Sequence, residues 1–299
     1  MKVKLACIGG FLGSGKTTLM ISLGKELTLK HQKKVAIITN DQGEVLVDTE
    51  TVRNFGFACA EVLQGCFCCK FPEFITHVHE IMAKIKPDII LAEPVGSCTD
   101  LLATVYTPLR NYYSDEVALA PYIVLVDALK ALKIDEEHGI TSPKTPQGYL
   151  YTWQLMEAEV ICINKVDMVS EDMLIRVERL VREVNDEAEI LRISAKTGFN
   201  VEKLVDIVLN RHHNPRRCVD VNYDIYGTAE AELGWLNASF KLSSDKDIEP
   251  EEFLRVLLVE AAQTISRSGG DVAHIKATFS TDEGVIKGSL TSIEHGGDF

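Results

Sequence analysis

The chain has 299 residues, 46% of them hydrophobic, 25% charged and 7% aromatic, with a formal net charge of -13. This is the balance of a globular chain with material for a sizeable core, and it excludes wholesale disorder. The acidic excess excludes a broad electrostatic footprint for nucleic acid or an anionic membrane, both of which would repel it; a protein partner or a metal cation suits the field better.

The length leaves room for one large domain and a smaller one. The opening text, with two lysines and an apolar run, superficially resembles a secretion signal, but Gly13-Ser14-Gly15-Lys16 cuts it short. No later run approaches the roughly 18 apolar residues of a membrane span. A cytoplasmic setting with reduced thiols is therefore expected. There, clustered members of the eight cysteines point to metal or chemistry before structural disulfides.

A strand is expected at Lys4 to Ile8 and a helix at Thr17 to Leu29. Between them, Gly10-Phe11-Leu12-Gly13-Ser14-Gly15-Lys16-Thr17 fits the G-x-x-x-x-G-K-[ST] pattern. Glycines let backbone N–H groups curl around phosphate oxygens, and the helix N-terminus adds its partial positive charge. Lys16 is placed to meet the β and γ phosphates and Thr17 to give Mg²⁺ a hydroxyl, with Gly13, Ser14, Gly15 and Thr18 completing the cradle. A second strand, Val35 to Thr39, leads into Asn40-Asp41-Gln42-Gly43-Glu44 and Asp48, read as a nucleotide-sensing loop.

Gly65-Cys66-Phe67-Cys68-Cys69-Lys70 then places three thiols within four residues. Thiolates are soft donors that favour Zn²⁺, Cu⁺ and related ions, and three of them leave a fourth position to be filled from elsewhere. Cys98, Asp41 and Glu44 are the candidates. Small buried thiols without metal, or redox chemistry, are the alternatives. His77 and His79 stand two apart on a helix, face different ways and read as surface or packing residues. The strand Asp88 to Ala92 ends at Glu93, the choice for positioning Mg²⁺ or water, and Gly96 is placed to offer its N–H to the γ-phosphate.

A helix at Asp100 to Tyr112 and strands at Tyr122 to Val126 and Val160 to Asn164 follow. The last strand ends in Asn164-Lys165-Val166-Asp167, whose aspartate can accept both the N1–H and the 2-amino group of guanine; adenine presents neither in that arrangement. After a helix at Glu171 to Val184 and a strand at Glu189 to Ile193, Ser194-Ala195-Lys196 could turn backbone N–H groups toward the guanine carbonyl, and a helix runs from Val201 to Leu209. Continuous apolar strands alternating with helices define an α/β fold: a mostly parallel, doubly wound sheet of the P-loop NTPase type.

Residues 1–211 are assigned to this domain, 212–218 to a linker in which His212 and His213 read as solvated, and 219–299 to a small α+β domain. In the latter, strands are expected at Trp235 to Leu242, Val272 to Thr281 and Gly284 to Thr291, and a helix at Pro250 to Ser268.

Gly9-Gly10 to Thr17-Thr18, Asn40 to Asp48, Gly65 to Cys69, Glu93-Pro94-Val95-Gly96 and Asn164 to Asp167 occur in the order of the CobW-like metallochaperone GTPases, which this chain resembles over most of residues 1–210. These are relatives of the urease and hydrogenase nickel-insertion GTPases. The resemblance implies a GTPase, with Lys16, Asp48 and Glu93 catalytic, that carries Zn²⁺, Co²⁺, Ni²⁺ or Fe²⁺ at Cys66, Cys68 and Cys69. It implies delivery to a client metalloprotein or cofactor-maturation protein, and a nucleotide-dependent homodimer. Zn²⁺ or Co²⁺ is favoured, with a cobalt or corrinoid client a specific expectation. The chain departs from the family's pattern at Asp41-Gln42, at Pro94 to Asp100 where Cys98 is an extra thiol, and in having no histidine-rich loop. A signalling or assembly GTPase with structural cysteines, and a P-loop small-molecule kinase, are the rival readings.

Overall fold

A computed structural model describes residues 2–41, 52–53, 55–63, 66–214, 218–234, 236–281, 284–291 and 297–298. Its main sheet is built from β1 (Val3–Gly10), β2 (Val35–Asp41), β3 (Ala58–Leu63), β4 (Ile89–Ala92), β5 (Val117–Leu119), β6 (Ile123–Asp127), β7 (Val160–Asn164) and β8 (Glu189–Arg192). The strand order is β3-β2-β4-β1-β6-β7-β8, with β5 also paired to β1, and each of these pairings is parallel. The expected parallel α/β sheet is thus the observed one.

Burial on both faces explains why the strands read as unbroken apolar text. Leu5 and Cys7 join one core with Ile90, Val124 and Ile161, while Ala6 and Ile8 join the opposite core with Ile89, Ile123 and Val160. The first core is covered by α2 (Phe71–Ile85), α5 (Pro146–Glu157) and α6 (Glu171–Val184), and the second by α1 (Lys16–Leu29) and α7 (Val201–Asn210). Local chemistry sets the helix starts. The Ser170 side chain accepts from Met173 N at the head of α6, with Glu171 and Asp172 in its first turn; Thr145 caps α5 in the same way.

The helix expected from Asp100 begins instead as a π turn at Leu102–Tyr106, which continues into α3 (Thr107–Tyr112). Glu157, at the end of α5, accepts the N–H groups of Leu101 and Leu102 at 3.2 and 3.1 Å. Its carboxyl is 1% exposed, and burial raises its pKa to about 8 against the donors that lower it. The folded state therefore holds this proton more tightly than the unfolded chain. That contribution is complete below an unfolded pKa of 4.5 and is lost as pH rises toward 8. Relative to Glu157→Gln, the parent chain is expected to lose about 1.4 kcal/mol of stability per pH unit across that window. Urea melts of both chains from pH 5 to 8 check this; parallel profiles would contradict it.

α4 (Ala131–His138) precedes α5, and after the sheet the chain turns back over it. His213, expected in solvent, has a side chain only 6% exposed, its ring 2.5 Å from Glu159 and edge-on to Tyr106. A linker histidine is held here because Glu159 offers a buried acceptor at the start of β7. α8 (Tyr223–Glu232) docks on α5: Asn222 N donates to Tyr149 Oη at 2.6 Å and Trp153 Nε1 to the Asp220 carbonyl at 2.9 Å.

α9 (Pro250–Arg267) packs on β9 (Ile275–Thr281) and β10 (Gly284–Leu290), an antiparallel pair joined by β11 (Gly297–Asp298), around Leu258, Ala262 and Leu290. This is the expected α+β unit with one correction. Residues 236–242 form no strand although the text alternates, and Leu236 and Phe240 are 93% and 80% exposed. A strand needs a ladder partner as well as a pattern, and none of the described strands pairs with this segment. Trp235 lies outside the described residues.

Candidate functional site

The carboxyl ends of β1, β4, β7 and β8 meet at one edge of the sheet, where parallel α/β folds bind ligands. β1 runs into the glycine loop, and α1 begins at Lys16 directly behind it. Gly15, at φ 96°, turns the chain into that helix; a Cβ there would stand 2.5 Å from Asn164 Nδ2, so no other residue type fits. The Lys16 ammonium, 7% exposed, donates to the Gly10 carbonyl at 2.9 Å and lies 3.9 Å from Glu93 Oε1. Thr17 Oγ1 donates toward Glu93 Oε2 and Oε1 at 3.0 and 3.3 Å. A hydroxyl and a carboxylate side by side are hard oxygen donors, a set that fits Mg²⁺. Ser14 Oγ, inside the loop, is buried with no hydrogen-bond partner among the described residues, a cost of about 1–3 kcal/mol that an acceptor ligand such as phosphate would offset. Thr18, the next residue of α1, is exposed.

Asn164 is a strut between two loops. Its Nδ2 donates to the Ser14 carbonyl at 2.8 Å, and its Oδ1 accepts from Ala195 N at 2.9 Å. Lys165, at φ 65°, forms a 2.7 Å ion pair with Asp127, which is 3% exposed and ends β6 opposite Asn164 in register. Asp127 was not singled out from the sequence, although an apolar strand ending in an acid is the same signal that selected Glu93. Its neighbour Lys130 has a pKa lowered to about 8, chiefly by burial, and donates to the Ala273 carbonyl at 2.9 Å. Asp167, in the turn Val166–Met168, is exposed, so its carboxylate can meet a base edge. Ser194 is fully buried and Lys196 follows Ala195 on the same loop.

The thiols gather beyond β3 and β4. Cys66, Cys68 and Cys69 bring their sulfurs within 4.8 Å of one another. Cys66 Sγ lies 3.2 Å and Cys68 Sγ 3.8 Å from Cys69 Sγ. A tight turn does this: Cys69 N donates to Cys66 Sγ at 3.4 Å and Lys70 N to the Cys66 carbonyl at 3.0 Å, while Phe67 packs on Phe74 at 4.5 Å. Three reduced thiols were expected, but Cys66 and Cys68 are joined by a disulfide. The turn that aims both sulfurs at one point, with Cα atoms 5.3 Å apart, is within bridging reach. Cys98 Sγ sits 3.6 Å from Cys68 Sγ, 2% exposed. Burial, then the nearby charges of Glu157, Cys69 and Glu230, push its pKa well above the ordinary range.

Lys16, Thr17, Glu93, Asn164 and Ala195 are thus one constellation, and the four cysteines another. Gly96 lies between them, so close to Leu12 that an added Cβ would stand 2.7 Å from the leucine side chain. Asp41 ends β2 paired with Leu63. Glu44 and Asp48 lie outside the described residues. His77 lies beside Glu73 and Glu80, and His79 meets Glu116 and the Tyr113 ring, so the two face different neighbours as expected.

The fold and the phosphate loop define a P-loop nucleotide-binding protein. Residues 4–192 match the family described as CobW/HypB/UreG, nucleotide-binding domain, and the chain belongs to that family. It is 27% identical over 220 residues to Zinc-regulated GTPase metalloprotein activator 1 of Dictyostelium discoideum, covering 64% of this chain and 46% of that protein. It is 28% identical over 200 residues to Zinc chaperone YjiA of Escherichia coli, covering 64% and 58%. The chain thus spans about half the length of the curated relatives it matches. Its fold is like that of HypB from Helicobacter pylori, solved in complex with nickel: TM-score 0.52 and 19% identity over 69% of this chain and 86% of that one.

Proposed function

We propose that this chain binds and hydrolyses GTP and uses the nucleotide cycle to carry a transition metal on Cys66, Cys68 and Cys69 to a client. The observation that carries the proposal is the convergence of these sulfurs within 4.8 Å in a chain whose Thr17 and Glu93 share a hydrogen bond beneath the phosphate loop. Lys16 and the loop N–H groups hold the β and γ phosphates, and Asp167 reads guanine with Asn164 and Lys165 fixing its strand end. Thr17 and Glu93 would hold Mg²⁺, which would supply neutralisation of the phosphate charge. Asp48 and Asp41 are assigned to sensing the γ-phosphate and its attacking water.

The names of the two relatives favour Zn²⁺ as cargo; Co²⁺ for a corrinoid-related client is the second choice. Residues 1–211 act as the motor, and 219–299 as the part that meets the client or a second copy. Cytoplasmic work in a reducing setting fits the cargo thiols, which bind metal only after the Cys66–Cys68 bridge is reduced.

Metal and nucleotide are then coupled, each changing the other's affinity by the same factor. Anaerobic titration of Zn²⁺, Co²⁺, Ni²⁺ and Fe²⁺ into the reduced chain, without nucleotide, with GDP and with a non-hydrolysable GTP analogue, is expected to show affinities differing by about 5–150-fold between nucleotide states. Equal affinities in all three would sink the proposal.

A further inference from the structure

We propose that Cys98 is the fourth sulfur of the cargo site and the one ligand that the nucleotide controls. The inference rests on the metal-carrying reading of Cys66, Cys68 and Cys69 and adds to it both a closed ligand set and a route of coupling.

Geometry comes first. Sulfurs about 2.3 Å from one tetrahedral Zn²⁺ stand about 3.8 Å from each other. Cys98 and Cys68 are 3.6 Å apart, and Cys68 and Cys69 are 3.8 Å apart. Cys98 touches the edge of the trio through Cys68 but stands outside the group whose sulfurs all lie within 4.8 Å of one another, so it closes the site by moving toward the other two. Four sulfurs favour thiophilic, tetrahedral ions over hard octahedral ones.

The loop that carries Cys98 begins at the nucleotide. Residues 91–100 are all buried. At the head of this strip Glu93 holds the Thr17 hydroxyl, in its middle Gly96 abuts Leu12 of the phosphate loop, and two residues on stands Cys98. From the other side Gln154 Nε2 pins both the Gly96 and Cys98 carbonyls, at 2.8 and 3.1 Å. A shift at Glu93 or Gly96 is therefore transmitted over five residues to the sulfur. The strip is also not at its polar optimum. The hydroxyls of Ser97 and Thr99, on either side of Cys98, are buried with no hydrogen-bond partner among the described residues. A second setting of the loop that satisfies them lies within reach of ligand binding.

Closing the site needs the Cys66–Cys68 bridge opened. A phosphine and water do this, the phosphorus gaining oxygen as the two sulfurs take two electrons and two protons; the metal then displaces protons from the thiols.

The test uses Co²⁺ on the full chain, reduced and anaerobic. The sulfur-to-cobalt charge-transfer band is expected to lose about a quarter of its intensity in Cys98→Ser, and Co²⁺ affinity to fall at least about tenfold. In the parent chain the band should change between GDP and a non-hydrolysable GTP analogue, and in Cys98→Ser it should not. X-ray absorption on the parent chain, which needs no variant, should count four sulfurs in one nucleotide state and three in the other. Three sulfurs in both states, or an unchanged Cys98→Ser, would overturn the role of Cys98 alone. A parent chain that binds no cobalt would overturn the cargo reading beneath it.

Discussion

Lys16→Ala is expected to lower GTP turnover, as kcat/KM, on the order of 10²–10³-fold or more, the scale of removing one preorganised donor from a developing charge. Lys16 is 7% exposed and already folded into the cradle, with its ammonium on the Gly10 carbonyl and near Glu93. Being buried in the cradle, the ammonium has only to exchange the Gly10 carbonyl for a phosphate oxygen, a short move that leaves its charge available to the transition state. The substitution also leaves the buried Glu93 without its neighbouring cation, so a thermal melt should accompany the kinetics. A variant that retains its fold and hydrolyses GTP within threefold of the parent would remove Lys16 from the mechanism.

Asp167→Asn is expected to weaken GTP binding by roughly 10²–10⁴-fold, two charge-assisted bonds at about 1.5–3 kcal/mol each, and to favour xanthosine triphosphate instead. Xanthine keeps the N1–H but offers a carbonyl where guanine has an amine, so an amide that accepts from one and donates to the other suits it. The exposed position of Asp167 makes the change harmless to packing, while the Lys165–Asp127 pair and the Asn164 strut keep the turn in place. Competition binding of the two triphosphates reads the switch. Unchanged GTP preference would show that the base is recognised elsewhere and would remove Asp167 from that role.

The parts of the site legible in the sequence are those where one local pattern carries both the structure and the chemistry. Gly10 to Thr17 is legible because the turn, the helix start and the N–H groups proposed to cradle phosphate come from consecutive residues. Asn164 to Asp167 is legible for the same reason, and the alternation of Leu5 and Cys7 with Ala6 and Ile8 between two cores follows from the period of a strand. Asp127 was overlooked because its partner Lys165 lies 38 residues away. The strand text at residues 236–242 misled because alternation supplies a face but not a neighbour.

The sequence alone thus determined the parallel α/β architecture, the phosphate loop, the strand end at Asn164 that is proposed to read guanine, and the clustering of Cys66, Cys68 and Cys69, all of which depend on spacings of a few residues. Only the tertiary structure decided that Cys98 comes to Cys68 across 30 positions, that Glu93 meets Thr17 across 76, and that His213 is buried against Glu159. The first two contacts follow from the order β3-β2-β4-β1, which brings the carboxyl ends of separated strands to one edge, and the third from the chain's return past the opposite end of β7. Strand order is a product of packing two apolar faces at once, and no local window of the chain contains it.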